Sequence, residues 1–310
     1  MNVKLPLLLY CAVNLAPPVL GAEPVKLLSL DWSSQQVLTK VLGNLLTEVE
    51  VPVEYVYTDA DSQWYKLAQS QGDVQVEVWE GSMAAKFQQL LASDSIREGG
   101  THLAKTREDW WYPDYVEPLC PGLPNWRALK HCSKIFAEQG ELGVYYSGPW
   151  EKPDAARIRA LEIPYEIRVL KDGDEINQKI EEHLSTQKPL LIFNWSPNWV
   201  EAKYQGKFVE FPKYDPACEN DATWGVNPKY NWDCGNPVGG WLKIATSKRL
   251  NLLSPCAWDV VHSFSLNNHQ IALAAALVDD QKLSVDDAAA QWLERNQLHI
   301  AHWISHDSCM

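Results

Sequence analysis

The period of apolar and polar positions changes several times along this chain. Val25–Leu30 is a continuous apolar run short enough to be a strand. Ser33 or Ser34 can then cap a helix whose Val37, Leu38, Val41, Leu42, Leu45 and Leu46 recur at helical spacing. Pro52 interrupts the chain before the alternating strand Val53-Glu-Tyr-Val-Tyr57. Ser62 opens a second helix that stops at Gly72, and Val74–Trp79 alternates as a third strand. These segments predict a βαβαβ unit.

The same order returns further on. Strand Leu142–Tyr146 leads to a helix carrying Ala155, Ile158, Ala160 and Leu161, and strand Tyr165–Leu170 follows. A helix from about Asp174 to Thr186 and a strand Pro189–Phe193 complete a second βαβαβ unit, a repeat of topology rather than of sequence. Trp110–Pro118 reads as an extended connection between the units. Phe211–Gly240, rich in Pro, Gly and Asn, reads as a long loop. The last third is predicted helical, from Ser254 to about Asp279 and again after Ser284, and is expected to return to the first unit.

Tryptophans mark the ends of these strands. Trp32 follows Val25–Leu30, Trp79 ends Val74–Trp79, Trp150 follows Leu142–Tyr146, and Trp195 follows Leu190–Phe193. Open α/β sheets bind ligands beyond the carboxyl ends of their strands, and the handed crossover makes the two units fold alike. Two units facing each other would therefore direct four indoles into one cleft. A pocket walled by π faces suits a methylated ammonium ion. Trp292, within an amphipathic helix, and Trp64, in the middle of a helix, are assigned to packing.

The N-terminus differs from the rest. Lys4, the apolar stretch Leu5–Leu20 with three prolines, and Gly21-Ala22 resemble a secretory signal peptide, residues 1–22, rather than a membrane anchor. The formal net charge of −13 falls by one more when Lys4 is removed, which argues against nucleic acid as a partner. Seven cysteines become six without Cys11. An even number in an oxidising compartment suggests disulfides, and nearest-neighbour pairing is expected: Cys120 with Cys132, Cys218 with Cys234, Cys256 with Cys309.

Other chemistries are weaker. Asp31, Glu77 and Glu80 flank the tryptophans, so a Trp-lined carbohydrate-active hydrolase using Glu77 and Glu80 is the rival reading, although nothing fixes the separation of the carboxylates. Solvated strand ends explain them more simply. His299, His302, His306 and Asp307 are spaced along one helix face, as a metal site would require, but a polar C-terminal helix accounts for them too. No nucleophile elbow, Walker loop or zinc-protease motif is present, and no cofactor or metal is expected.

Four motifs together carry a resemblance: Asp31-Trp-Ser-Ser-Gln35, Gly72-Asp-Val-Gln-Val-Glu-Val-Trp-Glu-Gly81, Arg107-Glu-Asp-Trp-Trp-Tyr-Pro-Asp-Tyr-Val116 and Phe193-Asn-Trp-Ser-Pro-Asn-Trp199. They resemble the substrate-binding proteins of glycine betaine/choline-type ABC importers, over essentially the whole mature chain. The resemblance implies an α/β, two-lobed, type II-like periplasmic-binding-protein fold that closes on a quaternary ammonium ligand, with no enzymatic activity. It implies delivery to a membrane permease with an ATPase beneath it, and a periplasmic, monomeric carrier. The lobes are expected at residues 23–105 with 216–310, and at 106–215. Trp32, Trp79 and Trp195 would form the aromatic box, Trp111-Tyr112 another wall, and Trp150 a further ring. Ser34, Gly148 and Asn194 are the expected polar contacts. These donors favour a betaine carboxylate, whereas Asp31, Glu77 and Glu80 favour a pure cation such as choline, and the balance leans slightly to a betaine.

Overall fold

A computed structural model describes residues 22–150 and 152–310. The expected signal peptide therefore lies outside the described residues, apart from Ala22. The strands are β1 (Val25–Ser29), β2 (Val53–Tyr57), β3 (Val74–Trp79), β4 (Arg97–Pro113), β5 (Gly143–Ser147), β6 (Tyr165–Val169), β7 (Ile192–Ser196), β8 (Gly206–Phe208) and β9 (Val238–Thr246). They form one sheet in the order β2-β1-β3-β9-β4-β7-β5-β6, with β8 also on β4. Both βαβαβ units are present, and within each the strands pair in parallel. Each unit is completed in the same way. In the first, β9 and the start of β4 lie beyond β3; in the second, the end of β4 and then β8 lie beyond β7. The molecule is a mixed α/β protein of the two-lobed binding-protein type.

The connecting strands were not legible as strands. Residues 110–113, expected to be an extended connection between the units, are extended but paired, as the end of the 17-residue strand β4. This strand pairs antiparallel with β9 up to Arg107 and with β7 from Arg107 to Trp111. Its first half carries two glycines and alternating charges, so no apolar run announced it. β7 lies later than expected: it runs through Trp195 to Ser196, because Arg107–Trp111 gives it ladder partners beyond Phe193. The segment 254–279 is two helices, Pro255–Ser263 and Asn268–Asp279, each with its own side-chain cap, from Ser254 and Asn267. Ser284 caps Val285–Arg295 as expected. The late helices pack on Ser33–Glu48, and Trp292 is buried there with its N–H donated to the Gln270 carbonyl at 2.7 Å. Trp64 is likewise buried. Three disulfides join Cys120 to Cys132, Cys218 to Cys234, and Cys256 to Cys309, the nearest-neighbour pattern. No helix among the described residues is long and apolar enough to cross a membrane.

Candidate functional site

Strand ends from both units meet at one small pocket lined by Trp32, Trp79, Ser82, Met83, Glu108, Trp150, Phe193 and Trp195, with a cavity volume of about 20 Å³. That is room for about one water molecule, so the rings as they stand close on one another. Trp32 and Trp79 sit where β1 and β3 turn into helices, as the N-caps of Ser33–Glu48 and Glu80–Ala92. From the other unit, Trp150 meets Trp32 edge to face at 6.3 Å between ring centroids and Trp195 at 5.7 Å, with interplanar angles of 89° and 82°. Phe193 lies 5.8 Å from Trp195 and 5.6 Å from Trp150. Strand geometry explains this cluster: Phe193 and Trp195 alternate onto one face of β7, and Glu108 is the direct cross-strand partner of Trp195.

Two features give the pocket its polarity. Glu108 accepts a bond from the Lys152 ammonium at 2.8 Å through Oε1, and both side chains are almost fully buried. Glu108 Oε2 has no partner, and the same ammonium stands 4.1 Å above the Phe193 ring. Ser82 and Met83 belong to the first turn of Glu80–Ala92, a helix without a side-chain cap. Its N-terminal amides and dipole favour an oxygen with negative charge.

Glu77 differs from its expected role. It is not a solvated strand-end carboxylate but fully buried, because β3 is central in the sheet and all six of its residues are covered. Its Oε2 accepts from the indole N–H of Trp32 at 2.6 Å, the indole N–H of Trp79 at 3.1 Å and the Ser34 hydroxyl at 3.1 Å. Burial pushes its carboxyl up to about 7, against those three bonds. Glu80 Oε2 accepts from the Trp241 amide at 3.0 Å. Asp31, also raised by burial, does not line the pocket.

The other expected contacts lie elsewhere for definable reasons. Trp111 pairs with Ile192 and so projects from the face opposite Glu108; it is buried against β8 beside Gly206, where any side chain would strike its ring. Tyr112 shares the Glu108 face but lies past the end of β7, and its hydroxyl donates to Glu117 at 3.1 Å. Asn194, between Phe193 and Trp195 in a strand that continues to Ser196, turns away from the pocket, and its Oδ1 accepts from Asn198 at 3.0 Å. Ser33 does not cap its helix but donates to Asp279 at 2.5 Å. Gly148 sits under Trp150, where an added Cβ would be 2.4 Å from the ring. Glu108, Phe193, Ser82 and Met83 went unnoticed in the sequence. Period-two spacing from Trp195 would have found Phe193, while Glu108 depends on a register that only the sheet supplies. Near the C-terminus, His306 is bonded to Ser263 and His299 stacks on Trp303, and no cluster of three metal-binding side chains forms among the described residues.

Residues 23–295 match the model of the substrate-binding domain of the ABC-type glycine betaine transport system. The chain belongs to this family. It is 30% identical over 291 residues to the trimethylamine N-oxide-binding protein of Pelagibacter ubique (strain HTCC1062), covering 89% of this chain and 88% of that protein. Among solved structures, the glycine betaine, L-proline-binding protein ProX of Borrelia burgdorferi superposes with a TM-score of 0.72 at 16% identity, over 93% of this chain and 98% of that one. A choline-binding protein in complex with choline gives 0.71 at 14% identity, over 91% of each chain. At such identities these structures share the fold. Family members of this kind are substrate-binding components of ABC importers rather than enzymes.

Proposed function

We propose that this chain is an exported carrier that closes its two lobes on a compact, net-neutral trimethylated amine, with trimethylamine N-oxide the foremost candidate, and presents it to an ABC permease. The lobes are residues 23–105 with 216–310, and 106–215. The observation that carries the reading is the ring of Trp32, Trp79, Trp150, Trp195 and Phe193 around one small pocket, since each ring face attracts a methylated ammonium by ~0.5–2 kcal/mol. Ser34, Gly148 and Asn194, the donors expected for a betaine carboxylate, do not line it. Ser82 and the uncapped helix turn suit a single oxygen instead. Lys152 neutralises Glu108, which removes the advantage that an uncompensated carboxylate would give a pure cation. The relative from Pelagibacter, named for trimethylamine N-oxide, supports the same choice.

The hydrolase alternative loses its support, because Glu77 is sealed behind the indoles and reaches no substrate. Thermal shifts of the purified mature protein test the proposal, since a ligand at about 100 times its Kd adds ~2.7 kcal/mol to stability. Trimethylamine N-oxide should raise Tm at lower concentration than choline or glycine betaine. In a Lys152→Met variant the ratio should move toward choline by about tenfold, as Glu108 is left uncompensated. Stabilisation by oligosaccharides alone would remove the proposed function. A wild-type preference for glycine betaine would overturn the ligand choice.

A further inference from the structure

One carboxylate oxygen ties together two walls of the box. Trp32 comes from the end of β1 and Trp79 from the end of β3, so nothing in the local chain fixes the angle between their rings. Glu77 Oε2 accepts both indole N–H groups, and Ser34 adds a third donor to it. We propose that Glu77 is a positioning residue for ligand recognition: it fixes the rings of Trp32 and Trp79 relative to each other and, through charged hydrogen bonds to their N–H groups, enriches the π faces that meet the ligand cation. A hydrogen bond to an ionised acceptor is about twice as strong as a neutral one, and a negative partner at the indole N–H pushes electron density into the ring. Glu77 Oε1 has no hydrogen-bond partner, so a proton can lodge there without displacing either indole. The inference rests on the aromatic-box reading of the pocket.

The consequence is a coupling between protonation and affinity. Burial holds the Glu77 carboxyl at about 7. A cation over the rings favours the ionised form and lowers that value, so binding releases a proton and affinity rises with pH through neutrality. Charged or titratable groups on the surrounding elements include Asp31 after β1, Lys40 on Ser33–Glu48, Glu80 and Lys86 on Glu80–Ala92, Asp279 bonded to Ser33, His102 and Glu108 on β4, and Lys243 on β9. None of them is among the causes of the Glu77 shift. Glu77→Gln isolates the carboxylate from these groups. Titration of wild type and Glu77→Gln with trimethylamine N-oxide, choline and glycine betaine, between pH 6 and 8, should show about tenfold weaker binding in the variant and loss of the pH slope. In wild type without ligand, two indole N–H resonances of ¹⁵N-tryptophan-labelled protein should titrate together with one midpoint near 7. This readout needs no variant to fold. Equal, equally pH-sensitive binding by Glu77→Gln, or two indole resonances that do not titrate together, would overturn the inference. Failure of the wild type to bind any of the three compounds would instead overturn the aromatic-box reading.

Discussion

Replacing Trp79 or Trp195 by Ala should weaken ligand binding by ~1–3 kcal/mol, the sum of a lost ring attraction and lost apolar contact. Circular dichroism should meanwhile report an intact fold. Trp292→Ala should do the opposite, lowering stability by ~3–5 kcal/mol with affinity unchanged, because its ring is buried far from the pocket in a helical cluster. Unchanged affinity in both pocket variants would make those rings purely structural. At this scale the sequence shows which tryptophans end strands, and four of them do surround the pocket. It does not show what a strand end hides. Glu77 looks like a solvated carboxylate because alternation normally leaves one face of a strand wet, yet a central strand under helices has no wet face. Trp111 and Asn194 look like ligand contacts until the register of β4 and β7 turns them to the other side.

Elements whose own periodicity is strong were legible, and those defined by their partners were not. Helix Ser33–Glu48 and strands β2 and β3 follow from local pattern, whereas β4 and β9 owe their existence to each other. The loop between β8 and β9 is also partner-defined. Its disulfide joins Cys218 to Cys234, and Arg157, fully buried, donates to the Cys234 carbonyl and to Asn236 Oδ1, each at 2.7 Å. Arg157 also faces Asp109 at 3.3 Å and Asp154 at 3.4 Å. Asn236 in turn donates to the Glu108 carbonyl, so the loop braces the strand that carries a pocket residue. Removing one partner of a buried ionic cluster leaves charge without compensation. Arg157→Met should therefore cost ~3–5 kcal/mol in urea unfolding, beyond the effect of an exposed arginine. A variant as stable as wild type would show that the cluster does not hold the loop.

At the scale of the molecule, two units of like topology exchange strands through β4 and β9 and offer their strand ends to a common pocket. Two ion pairs that join the second unit to the end of the late helix Asn268–Asp279, Lys203 with Asp280 at 2.7 Å and Lys282 with Glu181 at 3.4 Å, are partly exposed. Pairs of that kind contribute ~0–1 kcal/mol, too little to hold the lobes together alone. In the proposed function the ligand between the rings supplies most of the free energy of closure. The central claim is that charge attracted by π faces, rather than shape alone, provides it. Isothermal titration of the mature protein with trimethylamine N-oxide and with tert-butyl alcohol, its uncharged isostere of nearly the same shape, separates the two. Binding of the N-oxide with the alcohol weaker by about two orders of magnitude or undetectable is the expected result. Comparable affinity for both would contradict it, because the pocket would then be recognising an apolar body and not a cation.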